Sequence, residues 1–149
     1  METAPAIDAD ALRAVREQAG ISQNDLARRA GMASGTRVSR WERGEARPRS
    51  PQILHAIAAA LKVDAISLLV PPEDGPDLRW LRFAAGLTVG QLADATHAAI
   101  STVKRWEANG LLAPSETTVN ALATALQATP ADVRRALSRT TLLQPPAVK

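Results

Sequence analysis

The chain has 149 residues, 46% hydrophobic and 3% aromatic, and is rich in Ala, Leu and Arg; this composition sustains packed cores, leans toward helix and excludes wholesale disorder. It has no Cys, which excludes disulfides and thiolate metal sites, and no apolar run of ~18 residues, so no transmembrane helix is expected. A formal net charge of +3 and a pI near 10.2 fit a nucleic-acid partner.

The N-terminus lacks a basic start followed by an apolar core, so no signal peptide is expected and a cytoplasmic location follows. Leu12, Val15 and Ala19 recur at helical spacing and predict a first helix ended by Gly20. Ser22 caps a second helix, with Asp25 three residues on, and Gly31 ends it. A third runs from about Ser34 to Glu42 and stops near Gly44. Ser50-Pro51 places an N-cap before a Pro at the first helical position, opening a fourth helix with Ile53, Leu54, Ile57, Ala58 and Leu61 inward. Asp64 starts a fifth. The Pro-rich piece PPEDGP, residues 71–76, is a short stiff linker spanning at most ~20 Å.

Beyond the linker the pattern repeats. Leu78 to Thr88 reproduces Leu12 to Ser22 at a spacing of 66, and Val103, Arg105, Trp106 and Glu107 follow Val38, Arg40, Trp41 and Glu42 at a spacing of 65. Thr88 and Gln91 form a capping box, and Thr129-Pro130 starts the fifth helix of this copy. The chain is thus two copies of one ~60-residue unit, spanning 8–70 and 77–139, with 140–149 as a flexible tail. The first copy holds ten Lys/Arg against seven Asp/Glu and the second seven against five, so the positive charge lies in the two copies and the first is the more basic.

The residues Arg16, Gly20-Ile21-Ser22-Gln23, Leu26-Ala27, Ala30-Gly31, Val38-Ser39-Arg40-Trp41-Glu42-Arg43-Gly44 and Pro48 resemble the Cro/C-one-type, or xenobiotic-response-element, family of helix-turn-helix regulators. Arg82, Gly86-Leu87-Thr88, Leu92-Ala93, Val103-Lys104-Arg105-Trp106-Glu107, Gly110 and Pro114 carry the same resemblance in the second copy. It implies an all-α fold of two tandem five-helix, lambda-repressor-like domains. Their third helices, about 34–42 and 99–107, would lie in the major groove of duplex DNA. It also implies a cytoplasmic, nucleoid-associated protein of bacterial or phage origin, with no cofactor and no metal.

Carried over position by position, the base-reading candidates are Gly35, Thr36, Arg37 and Arg40 in copy one and Ser101, Thr102 and Arg105 in copy two. Phosphate contacts are expected from Gln23 with Ser22, from Arg43, Arg47 and Arg49, and from Lys104. Copy one departs from the family between Gly31 and Val38, which is one residue longer than usual. Copy two departs at Val89, which replaces the Gln, and at Leu111, Leu112 and Ala113, which replace the basic stretch. Copy two is therefore expected to bind DNA more weakly or to serve another task.

Trp41 and Trp106 are expected in the cores, and Arg16 with Glu42 and Arg82 with Glu107 as buried ion pairs, as the resemblance implies. Trp80 and Phe83 replace Ala14 and Glu17, off the core stripe; as exposed aromatics they suggest a contact with copy one, a sister chain or another protein. His55 and His97 are read as ordinary side chains without a metal or catalytic role. The chain lacks a G-x-S-x-G elbow, a Walker loop and metal-ligand spacing, so no enzyme is expected.

The expected function is a sequence-specific, double-stranded DNA-binding transcriptional regulator, a repressor. The rival is a DNA-anchored adaptor, antitoxin-like or a phage-control protein. In that reading copy two holds a protein partner or a second chain through Trp80, Phe83, Leu111 and Leu112. Binding of both copies to one face of a duplex would require recognition helices about 34 Å apart.

Overall fold

Most helices of the computed structural model, which describes residues 5–143 and side chains to residue 138, begin at a residue that caps them. In the first unit, Asp8 accepts from the Ala11 N–H to start α1 (Ala9–Gln18), and Ser22 accepts from Asp25 N–H to start α2 (Gln23–Arg29). Ser50 accepts from Ile53 N–H ahead of Pro51 and starts α4 (Pro51–Leu61). Each such oxygen satisfies an N–H that has no partner inside the helix, an effect of about 0.5–2 kcal/mol. Helix α3 (Thr36–Glu42) starts otherwise, on Gly35, with no side-chain cap.

The fifth helix expected after Asp64 is a single 3-10 turn, Ala65–Leu68. Asp64 makes no capping hydrogen bond. Pro71 and Pro72 follow closely, and proline clashes with helical backbone in the residue before it. The chain instead leaves the turn extended and meets the segment ahead of α1. Ile7 and Leu69 form an antiparallel bridge, Asp8 N–H donates to the Leu68 carbonyl at 2.8 Å, and Val70 N–H donates to the Ala6 carbonyl at 2.9 Å. Ile7, Leu68 and Leu69 are buried there.

The second unit starts at Pro72, the first having ended at Pro71. It comprises α5 (Leu78–Ala85), α6 (Val89–Thr96), α7 (Ile100–Asn109), α8 (Glu116–Leu126) and α9 (Pro130–Leu143). Asp77, Thr88 and Ser115 cap α5, α6 and α8, and Thr88 and Gln91 make both bonds of the capping box. Thr129 Oγ1 accepts from Asp132 N–H at the head of α9. That helix runs past the boundary expected at 139, so 140–143 are helical rather than tail; the rest of the expected tail, 144–149, lies outside the described residues.

Helical spacing decides what each unit buries. In α3, Val38, Trp41 and Glu42 turn inward, and in α7 their equivalents Val103, Trp106 and Glu107 do the same. Helix α2 packs on α3 and α4, and α6 on α7 and α8, which holds α3 and α7 by one side and leaves the other to solvent. Leu12, Leu26, Leu54 and Ile57 in the first unit and Leu78, Leu92 and Leu122 in the second are fully enclosed, each contributing roughly 1.5–3 kcal/mol. Ala19, expected on the core stripe of α1, is exposed because it is the C-cap residue. No helix among the described residues is long and apolar enough to cross a membrane.

Candidate nucleic-acid interface

The turn between α2 and α3 is built around two glycines. Gly31 takes a left-handed φ of 81°, and Met32 N–H returns to the Ala27 carbonyl at 2.8 Å. Gly35 is buried and donates its N–H to Asn24 Oδ1 at 2.8 Å; a Cβ at Gly35 would stand 2.8 Å from the Asn24 nitrogen and from Gln23 C. Gly35, expected to face base edges, is therefore a spacer that lets the turn close against α2. Helix α3 correspondingly begins at Thr36 instead of about Ser34 and has 7 residues. The second unit makes the turn in fewer residues. His97 adopts the left-handed conformation of Gly31 at φ 56°, Ala99 is the N-cap, and α7 has 10 residues.

On α3 the side chains of Thr36, Arg37 and Arg40 stand exposed, opposite Val38 and Trp41. Arg37 and Arg40 line a concavity of about 250 Å³ with Trp41, Glu45, Ala46, Arg47 and Arg49. Four guanidinium groups around one hollow make a strongly cationic rim matched to phosphate or to the acceptor edge of guanine. One carboxylate sits among them. Arg43 grips Glu45 through Nε and Nη2, both at 3.1 Å, and donates to Ser39 Oγ at 2.8 Å. The hydrogen bond from Arg43, with the charges of Arg43 and Arg40, holds the Glu45 carboxyl below the usual range against an opposing desolvation. Arg43 is thus satisfied within the protein and must exchange or share Glu45 to hold a phosphate.

Behind this face lies a buried ion pair in each unit. Arg16 donates to Glu42 through Nε at 2.6 Å and Nη2 at 2.9 Å, and Gln23 Nε2 adds a third donor at 3.1 Å. Burial pushes the Glu42 carboxyl up, but the bonds from Arg16 and Gln23 and the charges of Arg16 and Arg13 outweigh it and hold it below its usual value. The same bond to Glu42 raises Arg16. In the second unit Arg82 bonds Glu107 at 2.5 and 3.1 Å, and Arg79 takes up the position of third donor at 3.3 Å. Arg13 and Arg79 were not expected in these networks; the signal was their identical placement three residues ahead of Arg16 and Arg82.

Gln23, expected to clamp phosphate, is therefore oriented by Glu42. One amide hydrogen is committed there, and the other can serve a phosphate at the start of α2. Ser22, exposed beside it, accepts from Asp25 N–H and still has its hydroxyl proton to donate. In the second unit Val89 packs half-buried against the core in place of Gln23.

Ser101, Lys104 and Arg105 are exposed along α7, while Thr102 is half-buried. The four residues expected to offer an apolar interface separate. Trp80 and Phe83 are buried, at 8% and 3% exposure, with the Arg82 guanidinium 5.1 Å over the Phe83 ring, so they do not form a free aromatic patch. Their counterparts in α1, Ala14 and Glu17, are exposed. Leu111 packs against the second core, and Leu112 alone of the four is open, at 76% exposure. Ile100, on the first turn of α7, is 50% exposed and had not been singled out from the sequence. Among the described residues no group of three or more His, Cys, Asp or Glu could hold a metal.

The family model of the helix-turn-helix domain matches residues 9–68 and again residues 75–137. No curated protein and no solved structure matches the chain significantly.

Proposed function

The chain belongs to the helix-turn-helix domain family through both of its units, and on that premise we propose that it is a sequence-specific, double-stranded DNA-binding transcriptional regulator acting as a repressor. Helices α3 and α7 enter the major groove. Arg37 and Arg40 read base edges from α3 with Thr36, and Ser101, Thr102 and Arg105 do so from α7. Ser22, Gln23, Arg43, Arg47, Arg49 and Lys104 hold phosphates. The observation that carries this reading is the exposed, cationic face of α3, backed by buried Val38 and Trp41 and continuous with the arginine-rimmed hollow. A helix supported from behind and charged in front fits a groove that accepts one helix.

A second reading is favoured by particular residues of the second unit. Val89 replaces the clamping Gln23, and Leu112 is exposed where the first unit has its basic stretch. In that reading the second unit holds a protein partner while the first anchors to DNA. Both readings are tested by selecting bound duplexes from a random pool with the full chain and titrating the best duplex with Arg40→Ala and Arg105→Ala. An arginine paired bidentately with guanine is worth ~1–3 kcal/mol, so each variant should weaken binding by about 5- to 150-fold. A loss with Arg40→Ala alone favours the adaptor. Unchanged affinity for both variants refutes the DNA-reading assignment.

A further inference from the structure

We propose that Ile100 is a specificity-determining residue of the second unit, seated against the 5-methyl group of a thymine in the major groove. This rests on the reading above, in which α7 lies in that groove. Ile100 occupies the first turn of α7 and is 50% exposed, an unusual position for a branched hydrocarbon among polar neighbours. The exposed residues that accompany it on α7 are Ser101, Lys104, Arg105, Ala108 and Asn109, which include two cations suited to a duplex. Its Cδ1 lies near Gly90 of α6, where an added Cβ would stand 3.9 Å away, so the glycine leaves the side chain uncovered on that side.

The comparison between the units sharpens the assignment. The residue equivalent to Ile100 in the first unit is Gly35, which is buried and has no room for a Cβ. The first unit therefore offers no side chain at this register and reads with Arg37 and Arg40. The second presents an exposed apolar group. In the major groove the base pairs offer hydrogen-bonding atoms and one apolar group, the thymine methyl. An aliphatic side chain pressed against that floor has one partner class there; against any other base it covers polar atoms without satisfying them. The preferred duplex is then asymmetric, guanine-bearing under α3 and thymine-bearing under α7.

The test uses the full chain and the best duplex from the random-pool selection, with each thymine replaced singly by deoxyuridine, which removes only the methyl. Wild-type protein should lose about fourfold in affinity at one position, the equivalent of roughly one buried methylene. Ile100→Ala should bind the parent duplex less well and show no further loss at that position, while Ile100→Val should keep the dependence. Equal losses for wild type and Ile100→Ala, or no loss at any position for wild type, overturn the proposal. Arg105→Ala in the same titration separates the two levels. If it weakens binding while the uracil scan is silent, α7 reads DNA without Ile100. If it binds as wild type does, the placement of α7 itself fails, and this inference with it.

Discussion

Replacing Glu107 by Gln should come close to unfolding the second unit. The Glu107 side chain is 2% exposed, and its two arginine partners, Arg82 and Arg79, are 8% and 15% exposed. Glutamine keeps the volume and one acceptor but removes the charge, leaving two enclosed guanidinium groups without an anion. Breaking a buried pair in this way costs about 3–5 kcal/mol. A unit of this size has a total stability of roughly 3–9 kcal/mol at 0.05–0.15 kcal/mol per residue. The equivalent Glu42→Gln should cost less. Arg13 is 47% exposed and can turn to water, and only Arg16, at 13%, is strongly enclosed. The assay is urea denaturation of the full chain followed by the indole NMR signals, Trp106 reporting the second unit and Trp41 the first. The Trp106 midpoint should fall sharply in Glu107→Gln. The triple variant Arg79→Met, Arg82→Met and Glu107→Met should recover much of the loss, because an apolar set leaves no stranded charge. A cost below about 1 kcal/mol for Glu107→Gln, or a larger cost for Glu42→Gln, would show that water reaches these arginines and would refute the reasoning.

Two further outcomes follow from the first unit. Gly35→Ala should destabilise it by about 1–3 kcal/mol, since the new methyl meets backbone and side-chain atoms of Asn24 at 2.8 Å and α3 must shift; an unchanged melting temperature together with unchanged duplex affinity would count against the described turn. Glu42 is held below its ordinary value near 4.5, so its contribution to stability is complete above that pH and disappears as pH falls through the lowered folded-state value. The Trp41 midpoint should therefore drop steeply on acidification below about pH 4.5, and Glu42→Gln should flatten that part of the profile.

Most helices and several of their caps were legible because each depends on a short, local pattern: Ser50-Pro51 and Thr88 with Gln91 state their roles within a few residues. The ion pairs join residues 26 and 25 positions apart and were expected from the family resemblance, carried by the recurrent Arg and Glu. The fifth element of the first unit was not legible. Asp64 resembles an N-cap, but the bridge between Ile7 and Leu69 joins residues some sixty positions apart, and no local pattern announces it. Gly35 was misassigned for a related reason. Register alone places it at the head of the recognition helix, whereas its burial depends on Asn24 across the turn. Trp80 and Phe83 are buried where Ala14 and Glu17 of the other copy are exposed, so the repeated sequence does not carry a repeated surface.

The differences between the copies fall mainly where the scaffold does not need agreement. Glu107 keeps a third donor although Val89 cannot supply one, because Arg79 closes in where Gln23 serves Glu42. Losing the glutamine thus carries no cost in stranded polar groups, and its effect is confined to what the start of α6 can offer a ligand. The same holds for Ile100 against Gly35 and for Leu112 against the basic stretch of the first unit: each is compatible with its own turn or loop, and the exchange alters the outward face. A duplicated helix-turn-helix unit can diverge in this way without refolding. The buried network fixes the angle at which the third helix is presented, and the exposed positions remain free to set what that helix meets. In the proposed function the first unit, with Arg43, Arg47 and Arg49, neutralises phosphates and makes binding depend on salt. The second keeps Lys104 and Arg105 but adds hydrocarbon, so in the same reading its share of recognition comes more from shape and apolar contact than from charge.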